Sequence, residues 1–371
     1  MTAPQQTPLV SGLPATVPFV GPETQERASG KRFQARIGAN ESAFGPSPNA
    51  IAAMQQEALN CWQYCDPENY DLKNELAMKH GLKPENIVVG EGIDGLLGYT
   101  ARMFVEPGTP VVSSKGAYPT FNFHITGFGG DLSFVDYQDD RENPERLLDA
   151  ASKTGAKLIY FANPDNPMGT WWSADTVQQF IDQVPDGALL VLDEAYCEFA
   201  PDGTLPKLDV SNPNVVRYRT FSKAHGMAGT RIAYAIGEAS VIQSFDKIRN
   251  HFGVNRIAQA GALAAVRDES WLNSVVRRVS IANQKISDIA TQNGLTALPS
   301  AANFVAIDCG RDRVFAKAVL NELLNQGIFV RMPGVAPLDR CIRVSAGTEN
   351  DLQAFAAALP KALDRATAAN G

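Results

Sequence analysis

Two hydrophobic periods alternate along this chain. Short apolar runs at 86–89, 110–113, 131–137, 158–162, 188–192 and 215–220 read as strands, because a brief apolar run bounded by turn formers suits a sheet covered on both faces. Between them, 94–104, the stretch after Pro119, 145–154 and 174–183 carry helical spacing, and 49–60 and 72–80 precede them, the second stopped by Gly81. Strand and helix succeed each other at intervals of roughly 30 residues, which predicts βαβ units and a mainly parallel sheet between two helical layers. Beyond about residue 249 the pattern changes. A long helical region over 257–292 leads into mixed segments at 303–308, 328–331 and 341–345. The first 45 residues, rich in Pro, Gly and polar side chains, hold one extended segment near 33–37. The expected layout is an arm, 1–45, that contributes to a small α+β domain at 261–371, with a large α/β domain at 46–260.

Length and composition narrow the partners. A chain of 371 residues with 44% hydrophobic and 20% charged residues is an ordinary globular composition able to bury a sizeable core. A net charge of −7 lacks the basic surplus that binding a phosphate backbone demands, so no nucleic acid is expected. No apolar run approaches the roughly 20 residues needed to cross a bilayer, so no membrane is expected either. The first twenty residues contain no Lys or Arg and are interrupted by Pro14 and Pro18, which leaves no recognisable secretory signal and makes the cytoplasm the expected address. Five cysteines show neither a CxxC pair nor a finger spacing, so scattered thiols and no metal site are expected.

Candidate chemistry gathers at strand ends. Lys223 lies just past the apolar strand 215–220 and before small residues and glycines, an open approach for a lysine that forms a Schiff base with a carbonyl cofactor. Alone it reads more readily as a surface lysine on a helix; Ser222 and Arg231 beside it change the case, both suited to a phosphate, one by hydroxyl and backbone donors, the other by a bidentate fork. Asp193 closes the run 188–192, at the strand edge where ligands bind in open α/β sheets. Such a carboxylate can hold a pyridinium proton, or simply cap a helix. Asn166 lies in a Pro-rich turn after 158–162. Gly90-Glu91-Gly92-Ile93-Asp94-Gly95 opens a helix directly after a strand, where free backbone N–H groups attract an anion and glycine lets it approach. It is neither GxGxxG nor a GxxxxGK[ST] loop. Tyr118 follows the next strand, placed to lie against a flat cofactor or to fill the core.

Taken in order, Asn166-Pro167-x-Gly169, Asp193-x-x-Tyr196, Ser222-Lys223 and Arg231 resemble the fold-type I pyridoxal-phosphate aminotransferases of class I/II. The eight-residue offset from Lys223 to Arg231, with Ala39-Asn40-Glu41 and Phe44-Gly45-Pro46, is most similar to the histidinol-phosphate aminotransferase group. The resemblance spans about Asn40 to Thr348. It implies a large domain with a mainly parallel seven-stranded sheet between helices and a smaller α+β domain, with pyridoxal 5′-phosphate as cofactor.

The resemblance also implies roles. Lys223 would bond the cofactor and shuttle the substrate α-proton, Asp193 would meet the pyridine nitrogen, and Asn166 and Tyr196 would meet its phenolic oxygen. Tyr118 would stack on the ring. The phosphate would lie on the backbone of the Gly92-Ile93-Asp94 turn, on Ser222 and on Arg231, with Tyr64 reaching it from the neighbouring subunit of a homodimer. Arg343 would clamp the substrate α-carboxylate, assisted by Asn40, with Arg331 near the substrate. An amino group would then pass between an amino acid or amine and an oxo acid such as 2-oxoglutarate by ping-pong steps.

Departures from the group's pattern bear on the substrate. Cys65 and Asp66 stand where the group shows Pro after the tyrosine, Met168 replaces Thr, and Ile93 replaces a small residue at the phosphate turn. Residues 19–23 and 251–255 are candidates for lining the pocket. Two other readings stay open: a decarboxylase or lyase of an amino-acid phosphate on the same fold, and a binding module that holds the cofactor without turnover.

Overall fold

The arm and the strands meet in two separate cores. In the computed structural model, which describes residues 4–15 and 20–370, the arm forms helices α1 (Pro8–Ser11) and α2 (Pro22–Ser29) and strand β1 (Ala35–Arg36). Helices α3 (Pro48–Glu57) and α4 (Tyr70–His80) follow, the latter ended by Gly81 at φ +65°. The strands β2 (Ile87–Gly90), β3 (Pro110–Ser114), β4 (Asp131–Val135), β5 (Leu158–Ala162), β6 (Leu189–Asp193), β7 (Val215–Thr220) and β8 (Ala233–Ile236) then form one sheet in the order β2-β8-β7-β6-β5-β3-β4. Only β8 runs antiparallel to its neighbours, so the expected seven-stranded, mainly parallel sheet is present.

Helices cover both faces because side chains along each strand alternate sides. Tyr160, Val191 and Tyr218 pack on Leu96, Leu97 and Phe121 of α5 (Gly92–Phe104) and α6 (Pro119–Gly127). On the other face Ile159, Phe161, Leu190 and Leu192 meet Leu147, Val177 and Phe180 of α7 (Pro144–Thr154) and α8 (Ala174–Asp182). Asn143 and Ser173 cap those two helices through their side-chain oxygens. After the short α9 (Ala239–Ser244), helix α10 (Arg256–Arg267) packs Ala258 and Ala262 against Ala50 and the β2–β8 end of the sheet.

The helical region expected over 257–292 is broken. Asp268 ends α10, and its carboxylate accepts from Trp271 N at 3.1 Å to cap α11 (Glu269–Gln292). Ala262, Ala265 and Val266, beyond the boundary expected at 260, pack in the same core as β2 and β8. The second core gathers α11, α12 (Arg313–Asn325) and α13 (Glu349–Asn370) around β10 (Phe304–Asp308) and β12 (Cys341–Ser345), and it includes Ala35 and Ile37 of the arm. Strand β9 (Thr296–Ala297) completes the antiparallel order β12-β10-β9, and β11 (Ile328–Phe329) pairs in parallel with β1.

Candidate active site

The carboxyl ends of β5, β6 and β7 lie side by side, with Ala162 opposite Asp193 and Asp193 opposite Tyr218. They open into a cavity of about 780 Å³ bounded on its far side by the segment 331–335 and Arg343. Of the site residues expected from sequence, all but Gly92 and Tyr64 line this cavity.

Lys223 follows β7 through a turn tied by Gly226 N on Lys223 O at 3.0 Å. Its Nζ donates to Asn40 O at 3.2 Å and stands 5.7 Å from the Tyr196 ring centroid. Burial, and then the Arg343 guanidinium, pull its ammonium down from 10.5 to about 8, within reach of neutral pH as a free amine.

Asp193 forms the floor. It is only 4% exposed; its Oδ2 accepts from the Tyr160 hydroxyl at 2.7 Å and its Oδ1 from Ala195 N at 2.9 Å. Burial pushes its carboxyl up to about 6, against the pull of those two hydrogen bonds and of the Lys223 ammonium. Behind it, Glu194 anchors the turn by accepting from Arg217 and Arg219, the latter at 2.8 Å. Tyr196 lies beside Asp193, its hydroxyl accepting from Asn40 Nδ2 at 3.0 Å, and burial pushes the phenol up to about 12. Asn40 holds a left-handed φ of +55° and also accepts from Ser345 Oγ at 3.0 Å. One N–H of its amide is left for the cavity, which Asn40 lines together with Arg343.

The opposite end is built for an anion. Gly92 opens α5 at φ +78°, a left-handed conformation, and a Cβ built there would run into the Arg231 guanidinium. The unpaired N–H groups of this helix start, the buried Ser222 hydroxyl and Arg231 converge there. Ser222 Oγ accepts from Thr220 Oγ1 at 3.0 Å, which leaves its own hydroxyl hydrogen to donate. Arg231 is held by Ala228 O at 3.0 Å and approaches Asp94 at 3.5 Å. Asp94 in turn accepts from the Tyr118 hydroxyl at 2.8 Å, which fixes the tilt of that ring on the cavity wall.

Two arginines guard the remaining side. Arg343 projects from β12, donates Nη1 to Asn166 Oδ1 and lies 5.1 Å from the Phe304 ring centroid, while its buried Nε has no partner. Arg331 is bridged to it through the backbone and donates Nη2 to Val20 O at 2.7 Å. Phe19 lies outside the described residues. Of the segment 251–255 no residue lines the cavity.

Tyr64 is 80% exposed, with its ring 4.8 Å from that of Phe252, away from the cavity of its own chain. Two features escaped the sequence reading: Tyr160, which fixes Asp193, and Glu41, on the cavity wall. A tyrosine inside an apolar strand carries no local signal of such a role. Among the described residues no group of three or more His, Cys, Asp or Glu could hold a metal ion, and no helix is long and apolar enough to cross a membrane.

Known proteins share this arrangement. Residues 34–359 match the family described as aminotransferase class I and II. The chain is 31% identical to histidinol-phosphate aminotransferase 2 of Carboxydothermus hydrogenoformans, over 91% of this chain and 94% of that one. It is 33% identical to histidinol-phosphate aminotransferase 1 of Mesorhizobium japonicum, over 96% of each. The crystal structure of histidinol-phosphate aminotransferase from Sinorhizobium meliloti in complex with pyridoxal-5′-phosphate superposes with a TM-score of 0.96 at 52% identity, covering 98% of both chains. Aspartate aminotransferase from Thermus thermophilus with maleate, at 20% identity, covers 98% of this chain and 99% of its own with a TM-score of 0.80, a likeness of fold. With a lysine, a buried carboxylate and an anion cradle on one cavity and the family matched over most of its length, this chain belongs to the class I and II aminotransferases, and its fold is their fold type I.

Proposed function

We propose that this aminotransferase, with pyridoxal 5′-phosphate as cofactor, moves an amino group between histidinol phosphate and 2-oxoglutarate. The observation that carries the reading is the placement of Lys223, Asp193 and Arg343 on one cavity whose far end is an anion cradle. The cavity fits the cofactor on its own terms: a Cβ at Gly92 would run into the Arg231 guanidinium, and the buried Asp193 is in no ion pair among the described residues.

When bound, the cofactor supplies an aldehyde that takes up the amino group and a pyridinium ring that absorbs the electron pair left by the departing α-proton. The chain does the rest. The Gly92-Ile93-Asp94 backbone, Ser222 and Arg231 hold the phosphate. Asp193, oriented by Tyr160, keeps a proton on the ring nitrogen, while Asn166 and Tyr196 meet the phenolic oxygen and Tyr118 covers the ring face. Lys223, as a free amine, would take the substrate α-proton and deliver it to the cofactor's aldehyde carbon on the far side of the nitrogen, the general acid–base step. Arg343 binds a substrate carboxylate through a bidentate fork and Arg331 meets the second anionic group.

Two departures from the group's pattern lie away from this cavity. Met168 is buried against Tyr137, Ala306 and Leu338, and Asp66 turns its carboxylate onto the N–H groups of Glu68 and Tyr70 at 3.0 and 2.7 Å. Only Ile93 faces inward. This supports histidinol phosphate as the amino substrate. The exposed Tyr64–Phe252 pair fits a homodimer in which Tyr64 reaches the partner's phosphate site, in the cytoplasm. The chain divides at Asp268 into a large unit and a small one that includes the arm.

The test is a half-reaction screen. Holoenzyme mixed with histidinol phosphate, glutamate and other amino donors should yield the oxo product and the amine form of the cofactor for the first two. Carbon dioxide release with no oxo product would replace the proposal by the decarboxylase reading.

A further inference from the structure

Beneath the cavity lie three buried carboxyl groups. Glu142, Asp165 and Asp193 are 1%, 2% and 4% exposed, and among the described residues none of them is in an ion pair. Asp193 has its task above; Glu142 and Asp165 have none in the reaction.

Glu142 lies between β4 and α7, and its Oε1 accepts from the N–H of Ala162, the last residue of β5, at 3.0 Å. Asp165 lies in the loop that follows. Its Oδ1 accepts from the Tyr137 hydroxyl at 2.8 Å and its Oδ2 from Met168 N at 3.1 Å, so each oxygen already receives a donor, as an anion requires. The two carboxyl groups stand within hydrogen-bonding reach of each other, yet Glu142 Oε2 is buried with no partner. Two carboxylates only accept; an acid and a carboxylate make one strong bond.

We propose that Glu142 carries a proton on Oε2 and donates it to Asp165, and that this one-proton pair positions the 163–169 loop, and with it Asn166, at the cavity floor. Asp193 on β6 opposes ionisation of Glu142, the Arg343 guanidinium favours the anion at Asp165, and Tyr137 and Tyr160 are neutral neighbours, while the Ser114 hydroxyl and the Ala162 N–H favour the anion at Glu142 less strongly than burial and Asp165 oppose it. Burial and Asp165 push Glu142 well above the carboxyl range; burial raises Asp165 too, but the Tyr137 hydroxyl, Met168 N and Glu142 itself pull it back, so the proton rests on Glu142.

The loop is closed on the same pair. Asp165 N donates to Thr170 O at 2.8 Å and Gly169 N to Asp165 O at 3.1 Å, while Asn166 receives Arg343. Glu142 acts through Asp165 and is a positioning residue. Its link to the cofactor rests on the role proposed for Asn166; the proton itself does not.

Infrared spectra of the full chain with ¹³C-labelled glutamate, with and without cofactor, test both halves. One protonated glutamate is expected at neutral pH, lost in Glu142→Gln. In Asp165→Asn, where a neutral amide replaces the carboxylate that accepts this proton, the band should shift to higher frequency or be lost. Glu142→Gln, able to donate and accept at the same places, should hold the cofactor as wild type does, and Glu142→Leu at least tenfold more weakly. Absence of a protonated glutamate, or a band that Asp165→Asn leaves unchanged, overturns the pair. Equal cofactor affinity in Glu142→Leu and wild type overturns the positioning role. The wild type and Asp165→Asn comparison decides the proton even if Glu142→Leu fails to fold, and none of these readouts depends on which substrate is used.

Discussion

With its ammonium at about 8 instead of 10.5, Lys223 should capture the cofactor aldehyde at neutral pH. At pH 7.5 about a quarter of such a side chain is the neutral nucleophile, against about one part in a thousand for an ordinary lysine, roughly a 200-fold gain. The cause is first burial and then the like charge of Arg343 on the same cavity. Apo-enzyme mixed with pyridoxal phosphate in a stopped-flow instrument, from about pH 6.5 to about 9.5, should show a capture constant that rises about tenfold per pH unit and levels off near 8. Arg343→Gln removes the like charge, so the midpoint should move upward and capture at neutral pH should slow. Lys223→Ala should capture nothing covalently at any pH. A rate that keeps climbing toward pH 10, as an exposed lysine's would, refutes the reasoning, as does a midpoint that falls in Arg343→Gln.

Other perturbations probe the floor, the cradle and the proposed partner contact. For Asp193, the folded value of about 6 exceeds the ordinary 3.8 of an aspartate in the unfolded chain, so the native apo-protein binds the extra proton and loses stability as pH rises through about 6. That contribution amounts to about 3 kcal/mol, and Asp193→Asn should remove it; equal slopes of Tm against pH in the two apo-proteins would argue against it. Gly92→Ala forces a left-handed alanine, about 1–2 kcal/mol, and displaces Arg231, so cofactor affinity by equilibrium dialysis should fall at least tenfold; unaltered affinity counts against the cradle. Tyr64→Phe removes one hydrogen bond to a charged group and should weaken cofactor retention about tenfold. In mixed dimers that pair Tyr64→Phe with Lys223→Ala chains, recovery of activity tests whether the contact crosses the interface.

Local chemistry made much of this protein legible. The runs 158–162 and 215–220 are strands to the residue, because an apolar run bounded by turn residues has one good solution in a covered sheet. Lys223, Asp193 and Asn166 were visible because polar residues at the ends of such strands have no core to enter, and parallel pairing collects those ends on one edge. Strand β8 was invisible: four apolar residues specify neither a direction nor partners, and its antiparallel pairing comes from β2 and β7. The break at Asp268 was masked because apolar spacing continues through it; the Asp268 cap on α11 and the packing of α10 on α3 set the two helices apart. What tertiary structure alone decided was which polar groups share a dry space. Tyr160 on Asp193, Asn40 on Tyr196, and Glu142 against Asp165 join segments distant in sequence, and burial gives each its effect by removing the water that would otherwise satisfy and screen it.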